Sequence, residues 1–223
     1  MDFIFMLTRD DQTIEDCVEL YETIRALPLR HVGFKDVGVS PETLKRLHGK
    51  LKEDGCTTYM EVVSTSEESC LRSARIGIDL GVDCLLGGTQ IDLILPLLKG
   101  SRTGYFPFPG IPAGHPTKLG GNAARVAADT KNAVAKGCAG VDLLAYRATE
   151  ADPLDLIRAA RSATTRPVIV AGSINSPQRI RDIAAAGADL FTIGTAALDG
   201  SFYPRQGLLT NQLKHILAAC GSV

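Results

Sequence analysis

Short apolar runs recur along this chain, and stretches whose apolar residues have a helical spacing separate them. Such alternation is typical of parallel β-strands joined by crossover helices. One run, Val168–Ala171, is apolar throughout, which predicts a sheet that is covered on both faces. Eight runs have the length and character of strands: Asp2–Leu7, His31–Asp36, Thr57–Val63, Asp83–Gly87, Thr103–Phe106, Val141–Tyr146, Pro167–Ala171 and Leu190–Ile193.

Two further patterns mark where helices begin and end. A capping side chain followed by proline at the first helical position predicts a helix start, and glycine before the next strand predicts a left-handed turn that ends a helix. The predicted starts are Ser40-Pro41, Asp152-Pro153 and Ser176-Pro177. The predicted helix-to-strand turns are Gly81, Gly140 and Gly187, each of which begins a Gly-apolar-Asp tripeptide.

The number of units predicts the fold class. Eight strand–helix units in 223 residues give about 28 residues per unit, which predicts one (β/α)8 TIM-barrel domain over residues 1–223. The alternative, an open doubly wound sheet, favours a glycine-rich turn after the first strand, whereas this chain has Thr8-Arg9-Asp10-Asp11 there. The one long irregular stretch, residues 107–122, follows the fifth strand and is interpreted as a functional lid or a disordered excursion.

Charge and composition exclude several classes of protein. With 24 Lys and Arg against 25 Asp and Glu, the chain has no basic excess to neutralise nucleic-acid phosphates. Its apolar stretches, such as Ile91–Leu98, are too short to cross a bilayer, and its N-terminus lacks the basic start of a signal peptide. Six scattered cysteines predict reduced thiols rather than disulfides or a zinc site. We therefore expect a cytoplasmic protein with no nucleic-acid or membrane partner.

Two glycine segments close the last two predicted strands. Gly172 is followed by Ser173, and Gly194 is followed by Thr195. Active sites of barrels lie at the C-terminal ends of the strands, so the N–H groups and hydroxyls of these four residues can converge on one anion. A short helix beginning near Ala196 would direct its positive end at the same place. The pattern predicts a phosphate site.

The segments Pro167–Asn175 and Ala188–Thr195 resemble those of the ribulose-phosphate-binding barrel superfamily, in which such Gly-Ser and Gly-Thr pairs hold the substrate phosphate. The resemblance is specific over Pro167–Gly200 and only architectural before it. It implies a small phosphorylated metabolite as partner. Barrels that bind flavin mononucleotide use a similar grip, but this chain has little material to cover a flavin ring, and we expect no cofactor.

The resemblance does not extend to particular enzymes of the superfamily. The hexulose-phosphate synthase group has Asp-x-Lys-x-x-Asp in its third strand, where this chain has Glu61-Val62-Val63-Ser64. The pentose-phosphate epimerases place histidine metal ligands after several strands, whereas here only His115, in the long loop, follows one. A metal-independent reaction is therefore expected.

Two charged residues interrupt the second and third predicted strands near their ends. Lys35 and Glu61 lie on neighbouring strands of a barrel, so we expect an ion pair, either structural or catalytic. A catalytic pair has two uses. Glu61 can take a proton from the carbon next to a carbonyl while the Lys35 ammonium stabilises the enolate oxygen. Alternatively, a neutral Lys35 can form a Schiff base while Glu61 moves protons.

Further polar residues are predicted to bind substrate, although an ordinary role in a loop or at a helix end is the alternative for each. Arg147 in particular can hold a carboxylate or a second phosphate. His115 and Lys118 belong to the long loop and would approach the substrate if that loop closes. The substrate-binding candidates are Arg9, Gln90, His115, Lys118 and Arg147.

Together these features predict an enzyme that acts on a small phosphorylated sugar or keto acid by enolate or Schiff-base chemistry. An aldol-type lyase or synthase is preferred. A phosphosugar isomerase or epimerase using the same Lys35 and Glu61 is one alternative, and a non-catalytic barrel that only binds a phosphorylated ligand is another. Barrels of this size commonly associate, so a homo-oligomer is also expected.

Overall fold

The computed structural model describes residues 1–62, 66–114 and 116–223. Eight parallel strands form one sheet in the spatial order β6-β7-β8-β1-β2-β3-β4-β5. They are β1 (Asp2–Met6), β2 (His31–Lys35), β3 (Thr57–Glu61), β4 (Cys84–Leu86), β5 (Gly104–Phe106), β6 (Val141–Leu143), β7 (Val168–Val170) and β8 (Leu190–Ile193).

Backbone hydrogen bonds bring the two edges of this sheet together. Between β5 and β6, the N–H of Ala139 donates to the carbonyl of Tyr105 (2.9 Å), and the N–H of Asp142 donates to the carbonyl of Pro107 (3.1 Å). The sheet is therefore nearly closed, and the predicted (β/α)8 barrel is confirmed.

Helices follow the strands, and three of them start where the capping pattern predicts. Ser40, Asp152 and Ser176 each accept a hydrogen bond from a backbone N–H in the first helical turn. The helices are α1 (Cys17–Ile24), α2 (Pro41–Glu53), α3 (Glu67–Leu80), α4 (Ile91–Leu98), α5 (Ala123–Ala135), α6 (Pro153–Ala163), α7 (Pro177–Ala186), α8 (Thr195–Leu198) and α9 (Leu209–Cys220). No helix in the described part of the chain is long and apolar enough to span a membrane.

Two of the three predicted glycine turns are confirmed. Gly81 and Gly187 end α3 and α7 with φ of 76° and 100°. The prediction for Gly140 is wrong, because the left-handed residue after α5 is Gly137, with φ of 101°. Gly140 instead allows a close approach of backbone, since a Cβ there would lie 2.2 Å from the carbonyl oxygen of Pro167.

Two predicted strands end earlier than their apolar runs. β6 ends at Leu143, and the chain turns into the short 3-10 helix Ala145–Arg147, which places Arg147 at the rim of the barrel. β3 ends at Glu61, and Val63, to which the prediction extended, lies outside the described residues.

The long loop forms a β-hairpin. Ile111–Ala113 pairs with Lys118–Gly120 in antiparallel fashion. Leu119 is fully buried, and its carbonyl accepts a hydrogen bond from the N–H of Thr149 at 3.0 Å. The segment is thus tied to the rim beside Arg147, rather than being a disordered excursion. His115, between the two strands in sequence, lies outside the described residues.

Side chains alternate between two cores, as they do in a barrel. One core lies between the strands and the helices, and a smaller one fills the barrel interior with six residues: Ile4, Met6, Tyr59, Leu86, Phe106 and Ile169. Above this inner core, towards the C-terminal ends of the strands, the interior becomes charged.

Candidate active site

A cavity of about 380 Å³ opens at the C-terminal ends of the strands, within the range of small-molecule sites. Loops after β1, β7 and β8 form much of its wall. Eight of the residues selected from the sequence line it: Arg9, Lys35, Glu61, Arg147, Gly172, Ser173, Gly194 and Thr195. The structure therefore brings the two glycine segments and the two charged residues into one cavity.

The glycine segments supply backbone donors to this cavity. Gly172 and Ser173 have φ of 82° and 60°, and a positive φ at serine costs about 1–3 kcal/mol. In the described part of the chain, the N–H groups of Ser173 and Ile174 donate no hydrogen bond. Thr195 begins the single turn of α8, whose first N–H groups have no acceptor within the helix. The cavity end formed by these segments can therefore hold an anion through backbone amides.

Packing against neighbouring groups requires glycine at both positions. A Cβ at Gly172 would lie 2.6 Å from Nε of Arg147. A Cβ at Gly194 would lie 2.9 Å from the carbonyl oxygens of both Met6 and Thr8, at the end of β1. Glycine lets the Arg147 side chain cross the end of β7 and lets β8 pass close to β1.

Gly194→Ala is expected to lower the free energy of unfolding by about 1–3 kcal/mol, because the added methyl group forces the backbone of β1 to move. Urea denaturation measures the change. Gly207→Ala is the matched control, since a Cβ there meets nothing within 4 Å. Equal stability of the two variants would contradict the close contact between β8 and β1.

Lys35 lies at the centre of a charged cluster. Its Nζ is 2.7 Å from Oδ1 of Asp11 and 3.4 Å from Oε1 of Glu61. Lys35 and Glu61 are direct register partners on β2 and β3, so both side chains emerge on the same face. The predicted ion pair between them is confirmed. Lys35 is only 4% exposed, so this cation depends on its carboxylate partners rather than on water.

Asp11, the nearer partner, was missed in the sequence. It lies in a two-residue turn between Thr8–Arg9 and Gln12–Thr13, with φ of 58°. Asp tolerates this left-handed conformation better than most residues. Oγ1 of Thr13 accepts a hydrogen bond from the N–H of Lys35 (2.8 Å) and donates one to its carbonyl (2.7 Å). The small hairpin is thereby docked on the end of β2. In the sequence, the available signal was the Asp10-Asp11 pair, whose residue types favour a tight turn.

The charge of Lys35 follows from its surroundings. Burial lowers the pKa of Lys35, but the carboxylates of Glu61 and Asp11 outweigh this effect and raise it above the ordinary lysine value. Lys35 is consequently an ammonium ion at neutral pH. The sequence left two roles open for Lys35. Its surroundings fit an ammonium ion that stabilises an enolate oxygen, and they do not fit a neutral amine that forms a Schiff base.

Arg147 connects the two ends of the cavity. Its side chain passes over Gly172, its Nη1 donates to the carbonyl of Thr117 (3.4 Å), and its Nη2 lies 3.8 Å from Oδ1 of Asp11. It is partly buried, whereas Arg9 is exposed at the mouth. Arg147 therefore places a positive charge between the anion end and the charged cluster.

Two of the sequence candidates are not brought to the cavity. Oε1 of Gln90 accepts a hydrogen bond from the N–H of Thr89 at 3.0 Å, and the residue is not part of the cavity wall. Lys118 is exposed on the hairpin and is also outside the wall. His115 lies outside the described residues. Among the residues that are described, no group of three His, Cys, Asp or Glu side chains is placed to hold a metal ion.

A second acidic residue near the cluster, Asp142 in the middle of β6, was also missed. It is fully buried, and neither carboxyl oxygen has a hydrogen-bond partner in the described part of the chain. Burial raises the pKa of Asp142 well above its ordinary value, and the charge of Glu61 adds to this, against the smaller opposing effects of Lys35 and Arg147. The signal in the sequence was an ionisable residue inside an apolar run, Val141–Ala145.

Comparisons with known proteins agree with this architecture. Residues 113–209 match the family model described as histidine biosynthesis protein. A crystal structure of 3-hexulose-6-phosphate synthase is 16% identical with a TM-score of 0.65, covering 98% of this chain and 99% of that one. Orotidine 5′-phosphate decarboxylase from Pyrococcus horikoshii OT3 is 12% identical with a TM-score of 0.69, covering 99% and 100%. A crystal structure of the Amycolatopsis orientalis BexX/CysO complex is 19% identical with a TM-score of 0.62, covering 100% of this chain and 91% of that one.

The chain is a (β/α)8 barrel with its cavity at the C-terminal ends of the strands. More particularly, the expected resemblance to the ribulose-phosphate-binding barrels is supported over residues 113–209, where the family match includes both glycine segments. The structural neighbours share the (β/α)8 fold with this chain.

Proposed function

We propose that this protein is an enzyme that forms an enolate or enediolate on a small phosphorylated sugar, with aldol-type cleavage or condensation as the preferred reaction. One observation carries the proposal. A buried ammonium ion, Lys35, is held between the carboxylates of Asp11 and Glu61 in the same cavity as two glycine segments with backbone donors.

The glycine segments would hold the phosphate. Backbone N–H groups at Ser173 and at Thr195 provide donors from two neighbouring strands, and a helix N-terminus favours a negative charge. Arg147 adds a cation beside Gly172. Two of the neighbouring structures are named for phosphate esters, 3-hexulose 6-phosphate and orotidine 5′-phosphate, which supports the same ligand class here.

The charged cluster would then face the carbonyl end of the bound molecule. Glu61 takes a proton from the carbon next to the carbonyl, and the Lys35 ammonium stabilises the negative charge that develops on the carbonyl oxygen. Asp11 holds Lys35 in position and keeps it charged. Because Lys35 and Arg147 already balance the charges of Asp11 and Glu61, this end of the cavity favours an uncharged ketose or aldose end over the added negative charge of a keto acid.

An isomerase or epimerase is the second candidate, and the same cluster favours it. The enediolate is common to both reactions, which differ in whether its carbon forms a carbon–carbon bond with an aldehyde, a step that runs in reverse in cleavage, or takes a proton back at a different position.

Incubation with ketose phosphates in deuterium oxide tests the proposal. We expect deuterium to enter the carbon next to the carbonyl, as followed by NMR, with phosphorylated ketoses but not with the same sugars lacking phosphate. Borohydride added during the reaction should leave Lys35 unlabelled, because the lysine is charged.

The other outcomes contradict the proposal in distinguishable ways. Binding of ketose phosphates without deuterium exchange would indicate a non-catalytic ligand-binding barrel. Covalent labelling of Lys35 by borohydride would replace the enolate mechanism with a Schiff base. Equal exchange with the unphosphorylated sugars would reject the phosphate site.

A further inference from the structure

Asp142 points into the barrel beneath the charged cluster. Its neighbours Val141 and Leu143 pack in the core between strands and helices, so the alternating side chain of Asp142 lies on the inner face. Its register partner on β7, Ile169, belongs to the inner core. Asp142 is 0% exposed and is not part of the cavity wall. The carboxyl group therefore lies behind the cavity rather than in it.

The charges around Asp142 are already balanced without it. From the elements that face it come Glu61 on β3, Lys35 on β2 and Arg147 after β6, and Asp11 contacts both cations. Two carboxylates thus face two cations. An ionised Asp142 would add an unbalanced buried charge with no donor among the described residues, and such a charge costs several kcal/mol.

A buried carboxyl group without partners also requires a reason for being there. An apolar side chain of similar size would avoid the cost of burying its two oxygens. Two acidic groups facing one cluster do not both ionise easily, and the more buried one keeps the proton. Here that group is Asp142, which is fully buried, whereas Glu61 lies in the cavity wall beside Lys35.

We propose that Asp142 is a positioning residue of this site: it holds a proton behind the cavity, so that Glu61 is the ionised member of the pair and no excess negative charge opposes the enediolate. The part of this proposal that concerns the reaction rests on the proposed function. The part that concerns the proton on Asp142 does not. Ionisation of Asp142 as the pH rises adds an anion that destabilises the developing enediolate, so the reaction slows. Asp142 thereby sets the alkaline limit of activity.

The pH dependence of deuterium exchange in Asp142→Asn tests this role, because asparagine imitates the protonated carboxyl at every pH. We expect exchange at neutral pH within about fivefold of the wild type, an unchanged acidic limb, and an alkaline limb moved up by at least about one pH unit. An alkaline limb identical to that of the wild type would overturn the proposal. So would a loss of more than about a hundredfold at every pH in a folded variant.

The difference between the infrared spectra of the ligand-free wild type and of Asp142→Asn tests the protonation state of Asp142 independently of any reaction. At neutral pH, the carbonyl stretch of a protonated carboxylic acid should be present in the wild type and missing in Asp142→Asn. Asp79→Asn, at an exposed position on α3, is the matched control and should keep the band. Absence of the band from the wild type would overturn the proposal even if exchange occurs. A band without exchange on any ketose phosphate would instead reject the proposed function alone.

Discussion

Glu61→Gln is expected to reduce deuterium exchange into a bound ketose phosphate by about 100- to 10,000-fold, the usual contribution of a positioned general base. Glutamine has the shape of glutamate but cannot accept the proton. Because the proposed phosphate contacts lie on β7 and β8, at the other end of the cavity, the dissociation constant should stay within a few-fold. NMR measures the exchange, and calorimetric titration measures the affinity.

Glu53→Gln, at an exposed position on α2, is the matched control and should behave as the wild type. Undiminished exchange in Glu61→Gln would remove Glu61 from the role of base. A large loss of affinity together with the loss of exchange would show that Glu61 contacts the substrate in its ground state.

Lys35→Met is expected to have the largest effect on folding, lowering the free energy of unfolding at neutral pH by about 3–5 kcal/mol. The substitution preserves the length of the side chain but leaves Asp11 and Glu61 facing each other without their common cation. Urea denaturation at neutral pH measures the effect.

Lys45→Met provides the comparison, because Lys45 is exposed on α2 and surface substitutions usually change stability by less than about 0.5 kcal/mol. A Lys35→Met variant as stable as Lys45→Met would mean that the cluster is not a buried, charge-balanced unit. Deuterium exchange should also be lost in Lys35→Met but retained in Lys45→Met.

The sequence was informative about the fold because each barrel strand is a short apolar run with its own punctuation. The position of Lys35 beside Glu61 was predictable for the same reason, since neighbouring parallel strands of similar length bring their ends together. Both glycine segments were also predicted to line the site, as they do, and the closeness of β1 adds a packing reason for glycine at 194 that the sequence did not show.

Asp142 was missed because it belongs to a repeated Gly-apolar-Asp tripeptide. In the tripeptides that begin at Gly81 and Gly187, Asp83 and Asp189 lie just before a strand and accept the backbone N–H of Thr58 (2.8 Å) and Val168 (2.7 Å). The tripeptide that begins at Gly140 has the same pattern, but its strand starts two residues earlier relative to the glycine, at Val141. This shift of two residues moves the carboxyl group from the end of the barrel to its interior, which leaves the ionisable residue inside an apolar run as its signal in the sequence.

Asp11 was overlooked for a different reason. Its importance comes from a two-residue turn whose positive φ values and docking on β2 through Thr13 are tertiary features. The residue types in the turn predict that it is tight, but they do not predict where its carboxylate points.

The join between β5 and β6 affects how fast Asp142 exchanges its proton with solvent. Where the other neighbouring strands share a ladder, these two are connected through the backbone bonds of Ala139 and Asp142 itself. Local opening of the barrel should therefore begin at β6, the strand that carries Asp142. Water would reach that acid during such openings, so its proton should equilibrate with solvent slowly, at a rate set by the separation of the two strands.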